Sequence, residues 1–240
     1  RNNSFLLKEN IIKFFRDSGA RSVVLIGGEP TVYPHLVSVV KDLVSVNIVP
    51  ILVTNARELS KKVKIAELVE AGLRNITVSI KAESEMGYQE VTGTKNSLEK
   101  VVLAIKNIQE YDQIAMGISV TIEEYFVAHL DDYVTFLLNL GVPHINFDLG
   151  SPILKATGVD VSKIPDPFIL AYSVEKVHGL MKDSGQSYSF YMTIPLCILD
   201  KDVKTELVRS KRITTSCHVP KGSGVIFSED GDVLPCNHFT

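Results

Sequence analysis

The stretch "VVLIGGEPTVYPHL", Val23 to Leu36, decides how this chain is read. Four apolar residues, Val23 to Ile26, run straight into Gly27, Gly28, Glu29 and Pro30. A short apolar run closed by glycine has the pattern of a strand buried on both faces of a parallel sheet. Such sheets bind ligands beyond the carboxyl ends of their strands. At that place two residues without Cβ let backbone amides and carbonyls approach a ligand closely. Pro30 then turns the chain out of the sheet, and Glu29 supplies an acceptor for an ammonium group. A phosphate would call for donors at a helix N-terminus with no carboxylate beside them. The design therefore matches an α-amino group.

Working outward, apolar strands alternate with amphipathic helices. Helical periodicity covers residues 4–19, 34–47, 60–72, 96–110 and 126–141, and strands are expected at 22–26, 49–54, 75–81, 114–122 and 144–150. Five strands, each next to a helix, indicate a parallel α/β sheet. The chain opens on a helix, so one earlier strand is expected. The whole then reads as six βα units, an open partial barrel or a doubly wound sheet. After Gly150 a Pro-bearing loop precedes a helix near residues 168–183, and a boundary is expected near residue 190. No long helix is expected beyond Tyr191. "GVIFSEDGDVLPC" reads as a hairpin with Asp230-Gly231 as its two-residue turn.

Side chains alternate across a strand, which divides each strand into two faces. Ile76, Val78 and Ile80 oppose Thr77, Ser79 and Lys81. Ile114, Met116, Ile118, Val120 and Ile122 oppose Gly117, Ser119, Thr121 and Glu123, and Ile145, Phe147 and Leu149 oppose Asn146 and Asp148. The bulky sets are expected against the helices. The small and polar sets would line a wet cavity, unlike the branched apolar filling of a closed barrel.

The 240 residues carry a net charge of -3 with 45% hydrophobic and 22% charged side chains, an ordinary globular composition. That charge gives no electrostatic case for nucleic acid or an acidic membrane surface, and no apolar stretch is long enough to span a bilayer. The chain starts at Arg1 without an initiator Met and reads as a piece of something longer. Cys197, Cys217 and Cys236 all fall in the last fifth, an odd number at wide spacing that does not form a secreted disulfide framework. A cytoplasmic location with free or metal-bound thiolates is expected.

"GGEPT" after the second strand of a six-fold βα chain resembles the radical S-adenosylmethionine (radical SAM) superfamily. "TNA" with Thr54 and Asn55 is similar to a family segment after the third strand, and "VSIK" resembles one at the fourth. "GISVTIEE" from Gly117 resembles the adenine-side segment at the fifth. The resemblance implies a partial (β/α)6 TIM-type barrel missing its first strand over residues 1–190. It implies that Gly27, Gly28, Glu29 and Pro30 hold the methionyl amino group of S-adenosylmethionine, with Lys81 at its carboxylate. Thr54, Asn55, Ser79 and Ser119 would be polar contacts and Ile118 an apolar one. Asp148 would face the substrate. The family's Cys-x3-Cys-x2-Cys loop, which binds a [4Fe-4S] cluster, is absent from this sequence and would lie just before Arg1. The segment from Met86 also resembles glycyl-radical-activating enzymes of the same superfamily.

In the tail, Cys217, thirteen residues, Gly231, four residues and Cys236 resemble the start of a SPASM/twitch extension, which carries auxiliary iron-sulfur clusters. Residues 191–240 would be the beginning of that domain. The Asp230-Gly231 turn would fold Cys236 back toward Cys217, with Cys197 a third candidate ligand. His218 and His238 flank these cysteines and leave zinc as the alternative. His35, His129, His144 and His178 read as structural or solvated. The activity implied is cleavage of S-adenosylmethionine to a 5'-deoxyadenosyl radical that abstracts hydrogen from a peptide or protein, fed by a flavodoxin or ferredoxin. The competing readings are a catalytically silent binding module with a zinc-knuckle tail and an ordinary α/β metabolic enzyme. The latter lacks support, since the chain has no P-loop, no Gly-x-Gly-x-x-Gly and no nucleophile elbow.

Overall fold

The computed structural model describes residues 3–150, 152–155, 157–192, 194–215, 221–222, 224–228 and 230–236. The fold is α/β. Its main sheet has seven strands in the order β1-β2-β3-β4-β5-β8-β9, and the chain divides into two compact units, residues 1–119 and 120–240.

The first unit opens with α1 (Asn3–Asp17) and continues through β1 (Ser22–Leu25), α2 (Leu36–Ser45), β2 (Val49–Thr54), α3 (Lys62–Glu70) and β3 (Asn75–Ile80). Helices α4 (Glu85–Thr92) and α5 (Leu98–Gln109) then lead into β4 (Ala115–Ile122), which crosses the division between the units. β1, β2 and β3 pair in parallel, with Leu25 opposite Leu52 and Thr54 opposite Val78, so their carboxyl ends point the same way and each strand runs two residues past the end of the one before. Leu36, Val40 and Leu43 recur at helical spacing and bury one stripe of α2.

Residues 82–95, expected as loop, contain α4. Ser84 caps it by accepting from Gly87 N at 3.0 Å, and Gly93 ends it in the left-handed region at φ 70°. The helix is too short and too sparsely apolar to announce itself by periodicity. Its Glu85 carboxylate accepts from Ser97 N and Leu98 N at 2.8 and 2.9 Å, capping α5 from outside.

In the second unit the order is α6 (Glu124–Ala128), α7 (Leu130–Asn139), β5 (Ile145–Leu149), β6 (Ile153–Lys155), β7 (Gly158–Asp160), α8 (Pro167–Ser184) and β8 (Tyr188–Tyr191). α9 (Lys201–Arg209), β9 (Ile213–Thr214), β10 (Ile226–Phe227) and β11 (Val233–Leu234) follow among the described residues. β5, β8 and β9 pair in parallel. The parallel sheet therefore continues past residue 190 through β9. The single helix expected over 126–141 is two, because His129 takes non-helical angles (φ -119°, ψ 22°). Its Nδ1 lies 2.9 Å from the Tyr125 carbonyl, at the break in the ladder.

The loop after Gly150 holds an antiparallel hairpin, β6–β7. The tail hairpin is present as β10–β11, with Ile226 opposite Leu234. Its connection is longer than two residues: Ser228 N donates to Asp232 O at 2.9 Å and Gly231 takes φ 90°. The core of this unit is aromatic. Phe147 stacks on Phe190 with ring centroids 5.4 Å apart and meets the edge of Phe126 at 6.0 Å, and Phe126 lies 4.8 Å from Tyr133.

Candidate functional site

The strand faces separate as alternation requires. Ile76, Val78, Ile80, Met116, Ile118, Val120, Ile122, Ile145, Phe147 and Leu149 are all buried. Thr77, Ser79, Lys81, Gly117, Ser119, Asn146 and Asp148 are half-buried on the opposite faces. Ile118, only 1% exposed, packs in the core with Met116 and Val120 and does not share a face with Ser119. Its assignment as an apolar cofactor contact conflicts with its own position in the alternation.

In the first unit Gly27, Gly28 and Glu29 follow β1 at the end where β2 and β3 also finish. Gly27 takes φ 146°, which only glycine adopts without strain. A Cβ placed on either glycine would meet nothing within 4 Å, so neither is there to admit a neighbouring side chain. Both are exposed. Pro30 opens a short 3-10 turn over Pro30–Val32, capped by Glu29.

Glu29 is occupied more fully than an exposed acceptor would be. Its Oε1 accepts from Thr31 N at 3.0 Å, from the Thr31 hydroxyl, and from Thr54 Oγ1 at 2.6 Å. Its Oε2 accepts from Asn55 N at 2.7 Å. An ionised carboxylate has about four lone-pair sites. Three donors on Oε1 leave the remaining capacity on Oε2. The carboxylate is thus first a clasp between the segments after β1 and β2. Thr54, 2% exposed, donates to that clasp and accepts from Ala56 N at 2.8 Å, so it positions Glu29 and does not itself face a ligand. Asn55 Oδ1 accepts from Arg57 N at 3.0 Å, which leaves its amide nitrogen uncommitted among the described residues.

On β3 and just beyond it, the Ser79 hydroxyl and the Lys81 ammonium have no partner among the described residues. Lys81 N donates nothing to the ladder and instead meets Tyr88 Oη at 3.2 Å. Burial pushes the Tyr88 phenol up to about 12. These groups fit an amino acid's charged end. Bare glycine backbone and Glu29 Oε2 offer acceptors for an ammonium, while Lys81, Ser79 and the Asn55 amide offer donors for a carboxylate.

The second unit carries a separate polar row. Register places Asn146 opposite Ser189 and Asp148 opposite Tyr191. Asn146 Nδ2 donates to Asp148 Oδ1 at 2.7 Å, and Ser189 Oγ donates to Asn146 Oδ1 at 2.9 Å. His144 lies below them, 2.9 Å from both Ser187 Oγ and Ser189 Oγ. Of the two expectations for His144, structural or solvated, these contacts fit the structural one, though its partners were not named. The signal was the two-residue repeat His144, Asn146, Asp148, which puts all three on one side.

Burial, and after it the Arg212 guanidinium, holds the His144 imidazole below its usual 6.5. As pH falls below 6.5 the unfolded chain takes up this proton first, and the folded state loses stability until its own lower value is passed. Urea unfolding at pH 7.5 and 5.5 should therefore show a smaller acid loss for His144→Gln than for the wild type. Equal losses would contradict the coupling.

Of the tail cysteines, Cys197 is exposed in the 3-10 turn Leu196–Ile198 and Cys236 is half-buried just after β11. Cys217, His218 and His238 lie outside the described residues. No cluster of three metal-ligating side chains occurs among the described residues. No cysteine precedes Cys197, so residues 1–196 offer no thiolate for a main iron-sulfur cluster. No helix among the described residues is long and apolar enough to cross a membrane.

The chain is 27% identical over 128 residues to a probable GTP 3',8-cyclase of Sulfurisphaera tokodaii, covering 53% of this chain and 40% of that one. It is also 27% identical over 151 residues to the probable GTP 3',8-cyclase of Saccharolobus solfataricus, covering 60% and 47%. It thus spans less than half the length of these relatives. Its fold matches Streptococcus suis SuiB bound to S-adenosylmethionine, with TM-score 0.70 at 19% identity over 96% of this chain and 52% of that one. It likewise matches anSMEcpe with bound AdoMet and the Kp18Cys peptide, with TM-score 0.72 at 15% identity over 100% and 66%. These likenesses show the fold, the α/β partial barrel. The Radical SAM superfamily profile matches residues 5–137. The chain belongs to the radical SAM superfamily, whose members use S-adenosylmethionine with a [4Fe-4S] cluster.

Proposed function

We propose that this chain is the S-adenosylmethionine-binding part of a radical enzyme that modifies a peptide or protein. The carrying observation is the open Gly27-Gly28 backbone fixed by the Glu29 clasp, near the carboxyl end of a sheet that also presents Lys81, whose ammonium has no partner among the described residues. Gly27, Gly28 and Glu29 Oε2 accept from the methionyl ammonium, Lys81 pairs with the carboxylate, and Ser79 and Asn55 add donors. A [4Fe-4S] cluster, held by residues other than 1–196, would supply the electron for radical chemistry on the bound S-adenosylmethionine. Residues 1–196 carry no cysteine and do not fit that cluster. The reading expects its loop on a further strand against the edge of β1, where Val24 and Ile26 are 50% and 48% exposed.

A peptide substrate is supported by the folds it resembles. One is SuiB bound to the precursor peptide SuiA, and the other is anSMEcpe with a bound peptide. Asp148 and its polar row belong to the substrate side of this reading. The β10–β11 hairpin with Cys236 is the start of a SPASM/twitch extension, whose further ligands include Cys217 and Cys197 and whose metal is iron-sulfur or zinc. A flavodoxin or ferredoxin is the electron donor. A second reading follows from the relatives named probable GTP 3',8-cyclases: GTP would then be the substrate.

Lys81→Met keeps the alkyl stem and removes the charge. Calorimetry should show S-adenosylmethionine bound about tenfold more weakly, the worth of one charge-assisted hydrogen bond, with unfolding unchanged. Unaltered affinity removes Lys81 from the site. In the same format, saturable GTP binding with no S-adenosylmethionine-dependent peptide modification would favour the second reading.

A further inference from the structure

The row on β5 and β8 has one consistent arrangement of protons. The short 2.7 Å contact to the Asp148 carboxylate fixes the Asn146 amide with its nitrogen toward Asp148 and its oxygen toward Ser189. Ser189 spends its only proton on that oxygen, so toward His144 it can only accept. His144 must then carry its proton on Nε2. In the neutral ring Nδ1 is left bare and accepts from Ser187 Oγ. Every bond points the same way, from Ser187 through His144, Ser189 and Asn146 to Asp148. Each adjoining link along such a chain polarises the next. An amide does not readily hand a proton on, so Asn146 interrupts any proton path. The row transmits orientation.

We propose that His144 is a positioning residue: by holding Ser189 as a donor to Asn146, it locks the Asn146 amide and with it the Asp148 carboxylate on the substrate side. This rests on the reading of Asp148 given above, and deepens it by naming what fixes that carboxylate. Asn146 faces Ser189 across β5 and β8, and His144 meets Ser187 one residue ahead of the two strands, so the strands must keep their register for the lock to form. The alternative tautomer, with the proton on Nδ1, would turn the Ser189 hydroxyl toward His144. Asn146 Oδ1 would lose its donor, and the amide would be free to flip its nitrogen away from Asp148.

Nitrogen-15 spectroscopy of the full chain tests this without cofactor or substrate, so its failure and the failure of the cofactor reading are separable. At pH 8 the His144 ring should show a protonated Nε2 and a bare Nδ1. The Asn146 side-chain amide should exchange slowly with solvent. Ser189→Ala and His144→Phe should each speed that exchange about tenfold, the equivalent of one lost neutral hydrogen bond. His144→Gln, whose amide can still donate to Ser189, should restore slow exchange, which a purely space-filling role would not predict. A proton on Nδ1 in the wild type, or unchanged Asn146 exchange in Ser189→Ala, overturns the proposal. The wild-type spectrum decides the tautomer even if a variant fails to fold.

Discussion

Glu29→Ala should destabilise the first unit by about 3 kcal/mol and weaken S-adenosylmethionine binding with it. Four donors converge on this carboxylate: Thr31 N, the Thr31 hydroxyl, Thr54 Oγ1 and Asn55 N. Thr31 and Thr54 are 4% and 2% exposed, so water cannot replace the acceptor for their side chains. A hydrogen bond to a charged group contributes roughly 1.5–3 kcal/mol, and a stranded buried donor costs a similar amount. Alanine alone cannot separate the clasp from the ligand contact. Glu29→Gln can. Its carbonyl oxygen can replace Oε1, but its NH2 faces the Asn55 N–H and offers no acceptor to an ammonium. The glutamine variant should lose only about 1–1.5 kcal/mol of stability, while losing about tenfold in affinity for S-adenosylmethionine. Urea unfolding and calorimetry on the same samples measure both. If the glutamine variant binds as tightly as the wild type, Glu29 is a clasp alone and the ammonium rests on the glycine carbonyls.

Phe147→Ala is the other large effect, at about 3–5 kcal/mol. Phe147 is 0% exposed and lies within ring-contact distance of both Phe190 and Phe126. Truncation leaves a cavity lined by aromatic rings that cannot close over it without moving β5 or β8. Phe147→Leu should cost less, about 1.5 kcal/mol, because most of the volume remains. Since Asn146 and Asp148 flank Phe147 on the same strand, the alanine variant should also release the Asn146 amide from slow exchange. A loss below about 1 kcal/mol in urea unfolding would mean that the aromatic cluster is not the core of this unit.

The alternation in "NITVSIK" and "HINFDLG" was enough to assign both strand faces, because burial on one face of a strand repeats every two residues. The glycine pair after β1 was equally legible, since its meaning depends on local backbone. The occupancy of Glu29 was not. Thr31 is local, but Thr54 is 25 positions away and reaches Glu29 only because β2 runs parallel to β1 and two residues past its end. At Ile118 the alternation along β4 puts the side chain on the buried face, away from Ser119. α4 was missed because its helix depends on the Ser84 and Gly93 caps more than on an apolar stripe. The partners of His144 were not legible because Ser187 and Ser189 sit 43 to 45 residues later.

Whether this chain grips the amino-acid end of its cofactor is best tested by titrating it with S-adenosylmethionine and with 5'-methylthioadenosine, which keeps the nucleoside and lacks the amino-acid moiety. Two charge-assisted contacts, at the ammonium and at the carboxylate, should make S-adenosylmethionine bind about a hundredfold more tightly. Equal affinities would mean that Gly27, Gly28, Glu29 and Lys81 hold something else.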